Sequence, residues 1–66
     1  MVEFEKNVMD LLDCYLMDEE TTSFYCGSLF IECGIMRGRF INDILKENGY
    51  NTIVSKCGNE VAIDFI

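Results

Sequence analysis

FIECGIMRGRFINDILKENGY, residues 30–50, decides how the rest of the chain is read. Phe40, Ile41, Ile44 and Leu45 recur at the i, i+1, i+4, i+5 spacing that lays apolar side chains along one stripe of a helix. Arg39, Asn42, Asp43 and Lys46 fall on the opposite stripe. Asn48-Gly49 then stops the helix, because a glycine just past the last periodic residue can take the left-handed conformation that satisfies the final carbonyls. The expected helix runs from Met36 to Asn48, preceded by a turn at Cys33-Gly34-Ile35.

Downstream, Asn51 to Cys57 and Glu60 to Ile66 flank Gly58-Asn59, a two-residue loop that tolerates positive φ, and predict a β-hairpin. That loop sets Val54 opposite Ile63, Thr52 opposite Phe65 and Lys56 opposite Val61. Val61, Ile63 and Phe65 alternate with Glu60, Ala62 and Asp64, so one face of the ribbon is core and the other is wet.

Upstream, Val2 to about Met17 predicts a helix, with Phe4, Val8, Leu11, Leu12 and Tyr15 as its core stripe. Glu3, Asp10, Asp13 and Glu20 line up on another side, and Val2, Met9 and Leu16 form a second apolar line at sevenfold spacing. A face that wide serves either a broad core contact or a second copy of the chain, a homodimer through Val2, Met9 and Leu16. Asp18 to Thr22 reads as a loop, and its acids oppose the helix dipole at a C-terminus. Thr22 to Cys33 has two readings: a short strand at 22–25 followed by a short helix at 28–33, or one strand of a three-stranded antiparallel sheet in an α-β-α-β-β chain.

The length of 66 residues suits a single domain, 1–66, and half the residues are apolar, which favours a folded core over disorder. No run approaches the roughly eighteen apolar residues of a membrane-spanning helix, and Glu3 and Glu5 stand where a secretory signal would be basic. The expectation is a cytoplasmic protein whose four cysteines, Cys14, Cys26, Cys33 and Cys57, are reduced and mostly buried. Their spacing lacks the close pair of a zinc site, and there is no histidine, so no metal or cofactor is expected. With neither a histidine base nor a glycine-rich phosphate loop, the chain does not read as an enzyme. Cys33 near Arg37 is the one candidate for an activated thiol.

Charge is distributed unevenly. Residues 1–20 hold seven acids against Lys6 alone, whereas Arg37, Arg39, Lys46 and Lys56 bring four of the five cations into residues 35–58, in a chain of net charge −7. The order helix, short strand, short helix, turn, capped helix, hairpin resembles the winged helix-turn-helix family. The resemblance is carried by Cys33-Gly34-Ile35 as the turn between two helices, Phe40 and Ile44 as inward positions of the second, and Gly49-Tyr50 leading into the hairpin. It implies a small α+β domain of winged-helix type that binds DNA as a regulator of transcription. In that arrangement helix 36–48 enters the major groove and hairpin 51–66 is the wing. Arg37 and Arg39 would be the primary contacts, Asn42 a base reader, and Lys46 and Lys56 phosphate contacts. A second function fits the acidity instead: an inhibitor or adaptor that presents Glu3, Asp10, Asp13 and Glu20 to a basic protein surface, in the manner of a nucleic-acid mimic.

Overall fold

The computed structural model describes residues 2–66. Its elements are α1 (Glu3–Leu12), β1 (Thr22–Tyr25), β2 (Ser28–Ile31), α2 (Ile35–Glu47), β3 (Thr52–Cys57) and β4 (Glu60–Phe65). The four strands form one antiparallel sheet in the order β1-β2-β4-β3. The α+β class is as expected, but the sheet has four strands rather than three. The strand expected at 22–25 is present as β1, but the short helix at 28–33 and the single long strand both give way to a hairpin. Cys26 and Gly27 both have positive φ, 51° and 81°, the conformation of a tight two-residue turn that matches the twist of its strands. Ser28–Ile31 is therefore a strand, not a short helix: Leu29 and Ile31 are buried in the core, alternating with the less buried Ser28 and Phe30. The Cys33-Gly34-Ile35 turn then joins a strand to a helix rather than two helices.

Leu29 and Ile31 of β2 and Val61 and Ile63 of β4 share one face of the sheet and pack against Val8 and Leu12 of α1 and Ile41, Ile44 and Leu45 of α2. Both helices thus cover the same face. Phe4 closes one end of this layer, its ring edge-on to Phe24, Tyr50 and Phe65. α1 ends at Leu12, short of the expected Met17, with a single further turn marked by the bond from the Leu16 amide to the Leu12 carbonyl. No basic residue occupies its last turn, and Asp13 sits where the dipole is unfavourable to a carboxylate.

α2 has the expected C-terminus. Gly49 has φ +94°, its N–H donates to the Lys46 carbonyl, and the Tyr50 N–H donates to the Leu45 carbonyl, the paired bonds of a Schellman stop. The β3–β4 hairpin has the expected register, with Thr52, Val54 and Lys56 opposite Phe65, Ile63 and Val61. Gly38 also finds its reason. A Cβ there would lie 2.8 Å from Val61 Cγ1 and 2.9 Å from Cγ2, so the bare backbone is what lets α2 settle onto β4. Gly34, by contrast, is extended with open space around it, so the turn preceding α2 does not depend on glycine geometry.

Candidate functional site

Two of the five residues expected at a DNA interface are occupied within the fold. Arg37 donates from Nε to Glu20 Oε2 at 2.9 Å, and from one terminal nitrogen to Glu20 Oε1 and to the Tyr15 carbonyl, each at 2.8 Å. The Glu20 side chain is only 5 % exposed, and its Oε1 also accepts from the Met17 N–H at 2.9 Å. One guanidinium thus fastens the start of α2 to the chain leaving α1. The hydrogen bonds from Arg37 hold the Glu20 carboxyl below its ordinary value against the opposing effect of burial, and the same bonds hold the guanidinium proton more tightly. Asn42 is buried, and its Oδ1 accepts from the Thr52 hydroxyl at 2.5 Å, tying α2 to β3. Arg39, Lys46 and Lys56 remain exposed and pair with no carboxylate among the described residues.

The carboxylate row along the first helix also separates. Glu20 belongs to the clasp with Arg37, and Asp10 pairs with Lys6 at 3.0 Å. Glu3 and Asp13 stay exposed without an ion pair among the described residues. The sevenfold line divides too: Met9 and Leu16 pack against the monomer's own core, while Val2 alone is well exposed. With α1 stopping at Leu12, Leu16 is off the helix and cannot continue its stripe.

The clasp instead assembles an apolar surface. Phe40, expected on the inward stripe of α2, is 45 % exposed, because the helix turns Gly38, Ile41, Asn42 and Leu45 toward its neighbours. The Arg37 guanidinium lies 5.1 Å from the centre of the Phe40 ring, and the Tyr15 ring meets Phe40 edge-on at 6.1 Å. Met36 stands one turn before Phe40 and is 73 % exposed, and Met17, bonded through its N–H to Glu20, is 53 % exposed. Of these four, Phe40 lies over a cation that Glu20 has already neutralised, and Tyr15 lends that cation its carbonyl. Acids frame them: Asp18 and Glu19 follow Met17, and Asp43 and Glu47 continue the Met36–Phe40 stripe at i, i+4, i+7, i+11. That stripe was the one sequence signal for this surface, and grouping Phe40 with Ile41 concealed it. The pairing of Glu20 with Arg37 across sixteen intervening residues has no periodicity to reveal it.

The cysteines differ from expectation. Cys14, Cys26 and Cys57 are exposed, Cys26 within a hairpin turn and Cys57 beside one, and only Cys33 is half-buried. Burial pushes the Cys33 thiol up, and the Glu20 carboxylate adds to this more than Arg37 opposes it, so it is a poor candidate for an activated nucleophile. No group of three or more potential metal ligands lies together among the described residues. No helix among them is long and apolar enough to cross a membrane. Comparison with protein-family models, with characterised proteins and with solved structures finds no match for this chain.

Proposed function

We propose that this chain is a small acidic protein-binding adaptor, and that it docks a basic, apolar segment of its partner on the surface formed by Tyr15, Met17, Met36 and Phe40. The observation that supports this reading is the exposure of four large apolar side chains held near the Glu20–Arg37 clasp: Tyr15 and Phe40 in ring contact, Met36 one helical turn before Phe40, and Met17 fixed through its N–H to Glu20. Methionine and aromatic side chains adapt to a partner's shape and contribute much of the energy at interfaces. The acids at Asp18, Glu19, Asp43 and Glu47 supply the charge preference. A basic amphipathic helix fits both, with its apolar face on the methionines and its cations over the rim.

The test uses a fluorescent synthetic helix of alternating leucine and lysine faces as probe. Binding that weakens with added salt and drops about tenfold on Phe40→Ser, an effect of the size expected for losing one buried aromatic contact, supports the reading. Binding indifferent to Phe40→Ser and Met36→Ser refutes this choice of surface. DNA binding through α2 is the second reading; it retains Arg39, Lys46 and Lys56 and requires that duplex DNA bind with comparable salt sensitivity despite the net charge of −7.

A further inference from the structure

The bond from the Ile66 N–H to the Asn51 carbonyl fixes which groups of β3 face outward. Antiparallel ladders alternate hydrogen-bonded and non-bonded pairs, so the pair 51 and 66 sets Ile53, Ser55 and Cys57 to bond with β4. Thr52, Val54 and Lys56 then turn their N–H and C=O groups away from β4; Thr52 is buried beneath α2, whereas Val54 is half-buried and Lys56 exposed. The strand order makes that side an open edge. It is six residues long, it has no proline, and its register runs unbroken to the turn.

The side chains beside this edge are cationic. Asn42 bonds to Thr52, and Arg39 and Lys46 lie three residues before and four after it, which places them on the same stripe of α2 above β3. Lys56 is on β3 itself, on the helix-facing side of the strand. The opposite edge, β1, is four residues long and lies beside Glu20 and Glu32. Only the β3 edge combines length with positive charge.

We propose that the free edge of β3 is a second docking site, and that it takes an acidic extended segment of another protein as a fifth strand. Residues of that segment opposite Val54 and Lys56 place their side chains on the helix face, where carboxylates meet Lys56 and the Arg39 and Lys46 side chains of α2. The intervening residues fall on the outer face of the sheet beside Ile53, which is 54 % exposed. The preferred segment therefore alternates acidic and apolar residues. This edge is independent of the surface around Phe40, and an adaptor carrying both would bridge two partners of opposite charge.

The test adds a short synthetic peptide of alternating glutamate and valine to the isotope-labelled protein and follows amide hydrogen exchange. The expected result is slower exchange at Val54 and Lys56, with little change at Phe40. Val54→Pro removes an N–H that faces away from β4, so the β3–β4 ladder is kept although Val54's packing on the core is lost, and it should weaken peptide binding about tenfold while circular dichroism verifies the fold. Lys56→Glu should weaken it by a similar factor, and the same peptide with lysine for glutamate should not bind. Binding unaffected by Val54→Pro would overturn the added strand. Duplex DNA binding more tightly than the peptide, with loss on Lys56→Glu alone, would assign the cations to nucleic acid instead. Protection of the same amides that appears with rising protein concentration alone would assign the edge to a second copy of the chain.

Discussion

Glu20 and Arg37, seventeen positions apart, form a two-pronged ion pair that joins the end of α1, the Met17–Glu20 turn and the first turn of α2. Because the folded state holds the Glu20 carboxyl below its ordinary value of 4.5, the pair contributes its full stability above that pH. The contribution is lost as pH falls from 4.5 through the depressed folded value. Glu20→Gln should cost about 2–3 kcal/mol at pH 7, the scale of losing charge-assisted hydrogen bonds at a largely buried group. Urea unfolding at pH 7 and pH 3 checks this: the gap between native chain and variant should narrow at the lower pH.

Gly38→Ala sets two effects against each other. Alanine gains about 1 kcal/mol in helix propensity, but its Cβ meets the branched Val61 side chain at under 3.0 Å. Overpacking of this kind costs about 1–3 kcal/mol, so the variant should be less stable despite its better helix former. Pairing it with Val61→Ala should recover part of the loss beyond what the single changes add up to, which thermal unfolding of all three chains measures.

Cys26 holds φ 51° without the excuse of being glycine. Asparagine tolerates that region better, so Cys26→Asn should raise stability by about 0.5–1 kcal/mol and lift the melting temperature by a few degrees. An unchanged or lower melting temperature would mean the turn is not under the strain its backbone indicates.

The thiols should differ in reactivity. At pH 8, alkylation should reach Cys14, Cys26 and Cys57 first, with Cys33 slowest because it is half-buried and its thiolate is disfavoured. Mass spectrometry of a time course resolves the order, and Glu20→Gln should speed Cys33 by removing the neighbouring carboxylate.

Local chemistry explains which parts of the fold were legible. The helix stop at Asn48-Gly49 and the hairpin about Gly58-Asn59 were readable because each is set by a few adjacent residues whose backbone freedom or periodicity is written in order. The hairpin at Cys26-Gly27 was missed because a cysteine stood where asparagine normally announces such a turn. The inward place of Asn42 and the outward place of Phe40 reverse what polarity alone suggests. Asn42 is buried because Thr52 satisfies it, and Phe40 is tolerated outside because Tyr15 and Arg37 cover part of its ring. Arg37 lies one turn from Phe40 on the same helix, but Thr52 and Tyr15 come from other elements of the fold, beyond any local periodicity.

The methionine methyl groups offer the most direct test of the docking surface. With methyl-labelled methionine, a basic amphipathic helix titrated into the protein should shift the resonances of Met17 and Met36, which are 53 % and 73 % exposed. Met9, packed against the core, should stay still. Saturable shifts confined to Met17 and Met36, abolished by Phe40→Ser, are the result expected of a docking site centred on Phe40. Unmoved Met17 and Met36 at saturating peptide, or equal shifts at Met9, would contradict it.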